Sequence, residues 1–212
     1  MSDELVFYTH PMSRGRIVRW MLEEVGEPYR TEVLDYATTL KAPAYLAINP
    51  MGKIPAIKHG DTVVTECAAI CAYLADAFPA AGLAPSLGDK RRGTYFRWLF
   101  FAAGPVESVV ITTALGLQVK AEQKRMVGWG DTADTLAALE GAIAGKRYIL
   151  GDAFSAADVY VGSQLGWGLQ FGSIEKRPAF LDYVAGLEAR PAFIRAKQID
   201  DKLMAETNVL TS

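Results

Sequence analysis

The chain has 212 residues, half of them hydrophobic and 22% charged, and 22 Lys plus Arg nearly offset 24 Asp plus Glu for a formal charge of −2. That composition excludes a disordered chain and leaves no strongly basic face for nucleic acid. The longest charge-free stretch, Val159 to Ile174, falls short of the roughly 20 apolar residues that cross a bilayer, and Met1-Ser2-Asp3-Glu4 does not resemble a secretory leader, so the expectation is a cytoplasmic protein outside the membrane.

Leu5 to Tyr8 reads as a strand, followed by a turn at His10-Pro11 and by Ile17, Trp20, Met21 and Val25 at helical spacing, with Gly26 as the stop. Tyr29 to Leu34 reads as a second strand, which makes a βαβ unit with parallel strands. A short helix is expected near Ala42 to Ala47, then a hairpin of Ile54 to Lys58 and Thr62 to Thr65, then a helix from Glu66 to Phe78. The order βαβαββα predicts a mixed four-stranded sheet with helices on both faces over residues 1–79.

Residues 80–88, rich in Ala, Gly, Pro and Ser, read as a linker, and residues 89–212 as an all-α unit. Lys90 to about Lys120 predicts a helical region kinked at Gly104-Pro105. Helices are expected at Thr132 to Ala144, Ser155 to Leu169, Ala179 to Ala189 and Ala192 to Lys202.

Four segments carry candidate chemistry. Ser13 falls at the start of the first helix, where it either caps the helix or shares with the free N–H groups in holding an anion. Asn49 to Pro55 leads into the third strand, and the Ile54–Pro55 bond is open to either isomer. Glu66 and Cys67 open the next helix, where Glu66 either complements the dipole or meets an ammonium group beside a helix-bound carboxylate. Ser155-Ala156-Ala157-Asp158 matches a capping box and reads as a folding element. Two cysteines, Cys67 and Cys71, and two histidines in the chain exclude a disulfide framework and a multidentate metal site.

The first three of these segments, in this order ahead of a helical half, resemble the glutathione S-transferase family in its bacterial, serine-type form. The likeness rests on Asn49-Pro50 through Lys53-Ile54-Pro55, Thr65-Glu66-Cys67 with Ala69-Ile70, and Gly151-Asp152-Ala153-Phe154-Ser155 through Asp158. It implies a thioredoxin-like domain, a helical domain, and glutathione as co-substrate without a cofactor. It further implies that the Ile54 backbone, ahead of a cis Pro55, meets the cysteinyl part of glutathione. By the same likeness Glu66 takes the γ-glutamyl ammonium, Cys67 its carboxylate through a backbone N–H, and Lys53 the glycyl carboxylate. Ser13 occupies the place of the thiolate-holding hydroxyl, with Arg14 or Tyr8 as alternatives. Tyr8, Pro11, Trp98, Phe101 and Pro105 are candidates for the wall facing a small hydrophobic electrophile. A symmetric homodimer is implied as well, because six of the residues from Tyr95 to Phe101 are large and apolar. Two rival classes are a non-catalytic binding or scaffolding protein of the same fold and a glutathione-dependent thiol oxidoreductase or peroxidase; the latter calls for a cysteine at position 13 or a Cys-x-x-Cys, and the chain has neither.

Overall fold

The computed structural model describes residues 3–210 and puts the first apolar run of the chain in the interior of a four-stranded sheet. Strands β1 (Leu5–Thr9), β2 (Arg30–Val33), β3 (Ala56–His59) and β4 (Thr62–Thr65) lie in the order β2-β1-β3-β4. β1 runs parallel to β2, with Phe7 opposite Thr31, and antiparallel to β3, with Phe7 opposite Ile57; β3 and β4 form the expected hairpin.

A parallel pair needs a crossover. Helix α1 (Gly15–Val25) supplies it and stops where Gly26 turns left-handed and returns its N–H to the Leu22 carbonyl. Successive side chains of β1 point to opposite faces. Phe7 accordingly meets Arg19 of α1, while Tyr8 meets Tyr45 of α2 (Pro43–Leu46) on the other side. Helix α3 (Cys67–Ala77) packs beside α1 and buries Ile70, Cys71, Leu74 and Ala75. On the α2 side, Leu34, Leu40, Tyr45 and Ala56 form a smaller apolar cluster that takes in Tyr8, Ile48 and Ile54.

Residues Ala84–Ala189 make a second unit. It contains α4 (Arg91–Phe101), α5 (Glu107–Ala114), α6 (Thr132–Ile143), α7 (Ala156–Phe171) and α8 (Pro178–Glu188). Pro105 lies in a π-helical turn, Ala102–Val106, that joins α4 to α5, which is how the missing donor is accommodated. The helical region ends at Ala114, earlier than the expected Lys120, because Gly116 takes a left-handed conformation with φ 66°. Helix α7 is the interior element, with Val159, Val161 and Leu165 buried. Gly168 lets Ile174 lie directly on it, since a Cβ there would come 2.4 Å from the Ile174 side chain.

The start of α7 is tied down by Asp158. Its carboxylate accepts from the Ser155 N–H and hydroxyl, both 2.9 Å, from the Ile149 N–H at 2.7 Å and from the Tyr183 hydroxyl at 2.7 Å. This is the reaching-back half of the expected capping box, extended to two further segments of the same unit. Burial pushes the Asp158 carboxyl above its ordinary range while these donors pull it back.

Helix α9 (Pro191–Leu210) was expected within the helical half. By its contacts it is grouped instead with the sheet: the first unit comprises Met1–Leu83 together with Arg190–Ser212. Trp20 of α1 meets Phe193 edge-on at 5.0 Å, and Arg190 grips Glu24 through two hydrogen bonds of 2.7 Å. Deeper in the same contact, Arg19 and Asp200 are each 1% exposed. The Arg19 guanidinium also donates to the Tyr29 and Thr31 hydroxyls, at 3.1 and 2.7 Å, and lies over the Phe7 ring. No described helix is long and apolar enough to cross a membrane.

Candidate active site

The loop from β1 to α1 turns tightly enough to bring Ser13 back onto His10. The Ser13 N–H and hydroxyl both donate to the His10 carbonyl, at 3.0 and 2.6 Å, and the Ser13 oxygen accepts from the Gly15 N–H at 2.9 Å. Ser13 therefore satisfies one of the free donors at the helix start from the position before the N-cap, which is Arg14 and makes no side-chain cap bond, so the capping reading does not hold in its simple form. Gly15 is required by close packing, because a Cβ there would fall 1.9 Å from the buried Thr9 hydroxyl. Arg14 is the residue preceding the helix and is half-buried.

His10 is buried beneath this turn. Its Nδ1 accepts from the Met12 N–H at 3.1 Å, and its ring contacts that of Tyr36 at 4.7 Å. Burial lowers its pKa, with Asp35 pulling the other way. Asp35 is held below its ordinary value chiefly by the Thr38 hydroxyl, helped by the Thr38 and Ala37 N–H groups.

A second segment approaches from the loop before β3. The Ile54–Pro55 peptide bond is cis, the outcome implied by the family resemblance. The β3 ladder begins at Ala56, so the Ile54 backbone lies ahead of the paired residues. The Lys53 carbonyl is fixed by two donors, the Tyr45 hydroxyl at 2.6 Å and the Asn49 amide at 2.8 Å. Burial pushes the Tyr45 phenol up to about 12, so it remains a donor at neutral pH. Lys53 is exposed, and Lys41 beside it donates to the Met51 carbonyl at 2.9 Å.

The third segment is the start of α3. Among the described residues Glu66 is the one non-glycine with a positive φ, 67°, a conformation that surrounding structure must enforce. Its side chain is exposed. Cys67 is buried, and its thiol points to the Arg14 carbonyl at 3.7 Å, so the first turns of α1 and α3 adjoin. Two helix N-termini side by side favour an anion there. Cys71, one turn further on, is fully buried, and burial raises its thiol well above the ordinary range. Among the described residues no cluster of His, Cys, Asp and Glu has the make-up of a metal site.

Ser13, Arg14, Lys53, Ile54, Pro55, Glu66 and Cys67 all belong to the first unit, on loops that flank β1, β3 and α3. Tyr8 takes a different place: its ring packs 5.6 Å from Tyr45, in the cluster on the α2 face. Pro11 is buried, and its carbonyl accepts from Arg16 at 2.6 Å. In the second unit Trp98 is buried against Phe101, with the Arg97 guanidinium over its ring, and Pro105 lies in the π-helical turn. Sequence reasoning missed Tyr45 and Asn49, which hold the Lys53 carbonyl, and Tyr36. The Asn49-Pro50 pair within a turn containing Gly52 was the available signal for Asn49.

Comparison with known proteins agrees with this architecture. Residues 12–77 match the model of the glutathione S-transferase N-terminal domain, and residues 118–186 match that of the C-terminal domain. A glutathione S-transferase of Xanthomonas campestris pv. campestris is 28% identical over 185 residues, covering 84% of this chain and 85% of the relative. A glutathione transferase structure from Methylococcus capsulatus superposes with a TM-score of 0.77 at 28% identity, over 93% of this chain and 98% of the other. A sphingomonad glutathione S-transferase complexed with glutathione gives 0.75 at 29% identity, over 92% and 98%.

With this sheet, this cis proline and these paired helix starts, the chain belongs to the glutathione S-transferase family. It is a glutathione S-transferase, with glutathione transfer as its general activity.

Proposed function

We propose that this protein binds glutathione along the Ser13, Ile54 and Glu66 segments and activates its sulfur for attack on a small hydrophobic electrophile. The observation that carries the reading is the approach of the α1 and α3 starts, bridged by the Cys67 thiol and the Arg14 carbonyl, within the same unit as the unpaired backbone of Ile54. A carboxylate at the α3 start has the N–H of Cys67 as donor and Glu66 as a neighbour for the adjoining ammonium group. The Ile54 backbone suits a peptide-like cysteinyl segment in the manner of strand addition. Lys53 is the cation assigned to the glycyl carboxylate, and the turn of Ser13 and Arg14 at the start of α1 is assigned the surroundings of the sulfur. The sphingomonad relative's complex with glutathione supports the same ligand here.

In the reaction the thiol proton passes to water and the sulfur forms a bond to the electrophilic carbon. The electron pair of the bond broken leaves with the departing group. The chain's contribution is orientation and a fixed donor for the anion. The cytoplasm is the compartment this reading assigns.

Retention on immobilised glutathione, paired with conjugation of a chloronitrobenzene, tests the proposal. Retention with turnover is expected. Retention without turnover would make the protein a binding or scaffolding member of the family, and loss of both would end the reading.

The same reading assigns a two-fold homodimer. Phe100, 70% exposed on α4 and within 6.4 Å of the Phe96 ring, leaves apolar surface uncovered. Arg91, near the same helix start, pairs with Asp89 of its own chain. Light scattering should give a mass near twice 23.0 kDa.

A further inference from the structure

Resting on the transferase reading above, we propose that the hydroxyl of Tyr36 is the hydrogen-bond donor that holds the glutathione sulfur as a thiolate, while Ser13 serves as the fixed floor of the turn. The argument is an inventory of protons. A serine hydroxyl has one to give. Ser13 spends it on the His10 carbonyl at 2.6 Å, a short bond at the strong end of the O–H···O range. Turning that proton toward sulfur would give up this bond and leave the His10 carbonyl to the Ser13 N–H alone.

Tyr36 is under no such obligation. Its hydroxyl reaches the Met12 carbonyl at 3.4 Å, beyond the usual 2.5–3.0 Å, so redirecting it costs little. The Met12 carbonyl it reaches lies in the turn just before Ser13, which puts the hydroxyl near the start of α1 where the anion is favoured. Partial burial keeps the phenol above its ordinary range, so it stays protonated as a donor at neutral pH.

The residue is also held in position. Its ring lies against His10 at 4.7 Å, and the backbone around it is pinned through Asp35. The Asp35 carboxylate accepts from the Ala37 N–H, the Thr38 N–H and the Thr38 hydroxyl, at 3.0, 2.9 and 2.8 Å. The Asp35 N–H in turn donates to the Thr39 hydroxyl at 2.7 Å. Yet Tyr36 is 50% exposed, so a ligand can reach it. When glutathione binds, the thiol proton goes to water and Tyr36 keeps its own, donating across a charge-assisted bond to the sulfur anion.

The test uses the whole chain, wild type against Tyr36→Phe and Ser13→Ala. Thiolate absorbance of bound glutathione is followed against pH, with calorimetric affinity for S-methylglutathione, whose sulfur cannot ionise. Tyr36→Phe keeps the ring and should bind S-methylglutathione as wild type does. Its bound thiol should titrate about one pH unit higher, with turnover down about tenfold. Identical titrations for wild type and Tyr36→Phe would overturn the assignment while leaving the transferase reading intact, and a shift in Ser13→Ala alone would hand the role to Ser13. Loss of S-methylglutathione binding in Tyr36→Phe would also overturn it, by making the residue structural. A wild-type protein that binds neither ligand would remove the transferase reading and this assignment together.

Discussion

Arg19 and Asp200, 181 positions apart, share a hydrogen bond of 3.2 Å where water does not reach. Such a pair gains little over an apolar one, but removing one partner leaves a charge buried and uncompensated. Asp200→Ala is therefore expected to cost about 3–5 kcal/mol in thermal or urea unfolding. Arg195→Ala, which breaks the more exposed pair with Glu23 on the same helix, should stay within about 1 kcal/mol. Equal losses for the two would show that the buried pair has no special place in holding α9 to α1.

Asp158→Ala is expected to act on folding. The carboxylate is the shared acceptor of four donors from Ile149, Ser155 and Tyr183, and its removal strands several buried donors. Each unsatisfied donor costs about 1–3 kcal/mol, so the loss should reach about 3 kcal/mol or more, above the cost of losing a cap by itself. Unfolding curves supply the number. A variant that melts like wild type but has lost turnover would move Asp158 from the fold to the chemistry.

Glu66→Gln should weaken glutathione binding and leave the melting temperature alone, because the side chain is exposed and the conformation at position 66 belongs to the backbone. Replacing a charge-assisted contact with a neutral one predicts a loss of about tenfold in affinity by calorimetric titration. An unchanged dissociation constant would place the ammonium elsewhere.

His10 gives the active-site turn a dependence on pH. Its Nδ1 accepts from the Met12 N–H, which requires the neutral ring, and burial lowers its pKa in the fold more than Asp35 raises it. The unfolded chain therefore takes up a proton first, near a pH of about 6.5, and the stabilisation present above that pH is lost as the pH falls. His10→Asn cannot titrate there. The fall in melting temperature between about pH 7 and 5 should be smaller in that variant than in wild type, and parallel curves would exclude His10 as the source.

How far the structure was legible in the sequence follows from the range of each interaction. Local signals worked where the cause is local: Gly26 stops α1, the Thr62 to Thr65 run pairs back on β3, and Ser155 with Asp158 starts α7. The isomer at Ile54–Pro55 was open in the residue pattern and implied only by the family likeness. Periodicity places apolar faces but not tyrosine hydroxyls, so it could not show Tyr45 on the Lys53 carbonyl or Tyr36 at the Met12 carbonyl. The pairing of α9 with α1 joins residues too far apart for any window to connect. One sign of it was present: an arginine at position 19, set among Ile17, Val18, Trp20 and Met21, needs a carboxylate if that stretch is buried.

Because the first unit leaves off at Leu83 and resumes at Arg190, it is discontinuous along the chain. During synthesis the strands and α1 emerge from the ribosome long before Asp200 does, so nascent Arg19 has no carboxylate to receive it. The sheet domain can reach its final packing only after the whole helical insert has been made. Residues 1–83 expressed by themselves thus carry an arginine whose buried position would lack its counter-charge, and a fragment cut at the linker is a poor stand-in for the domain.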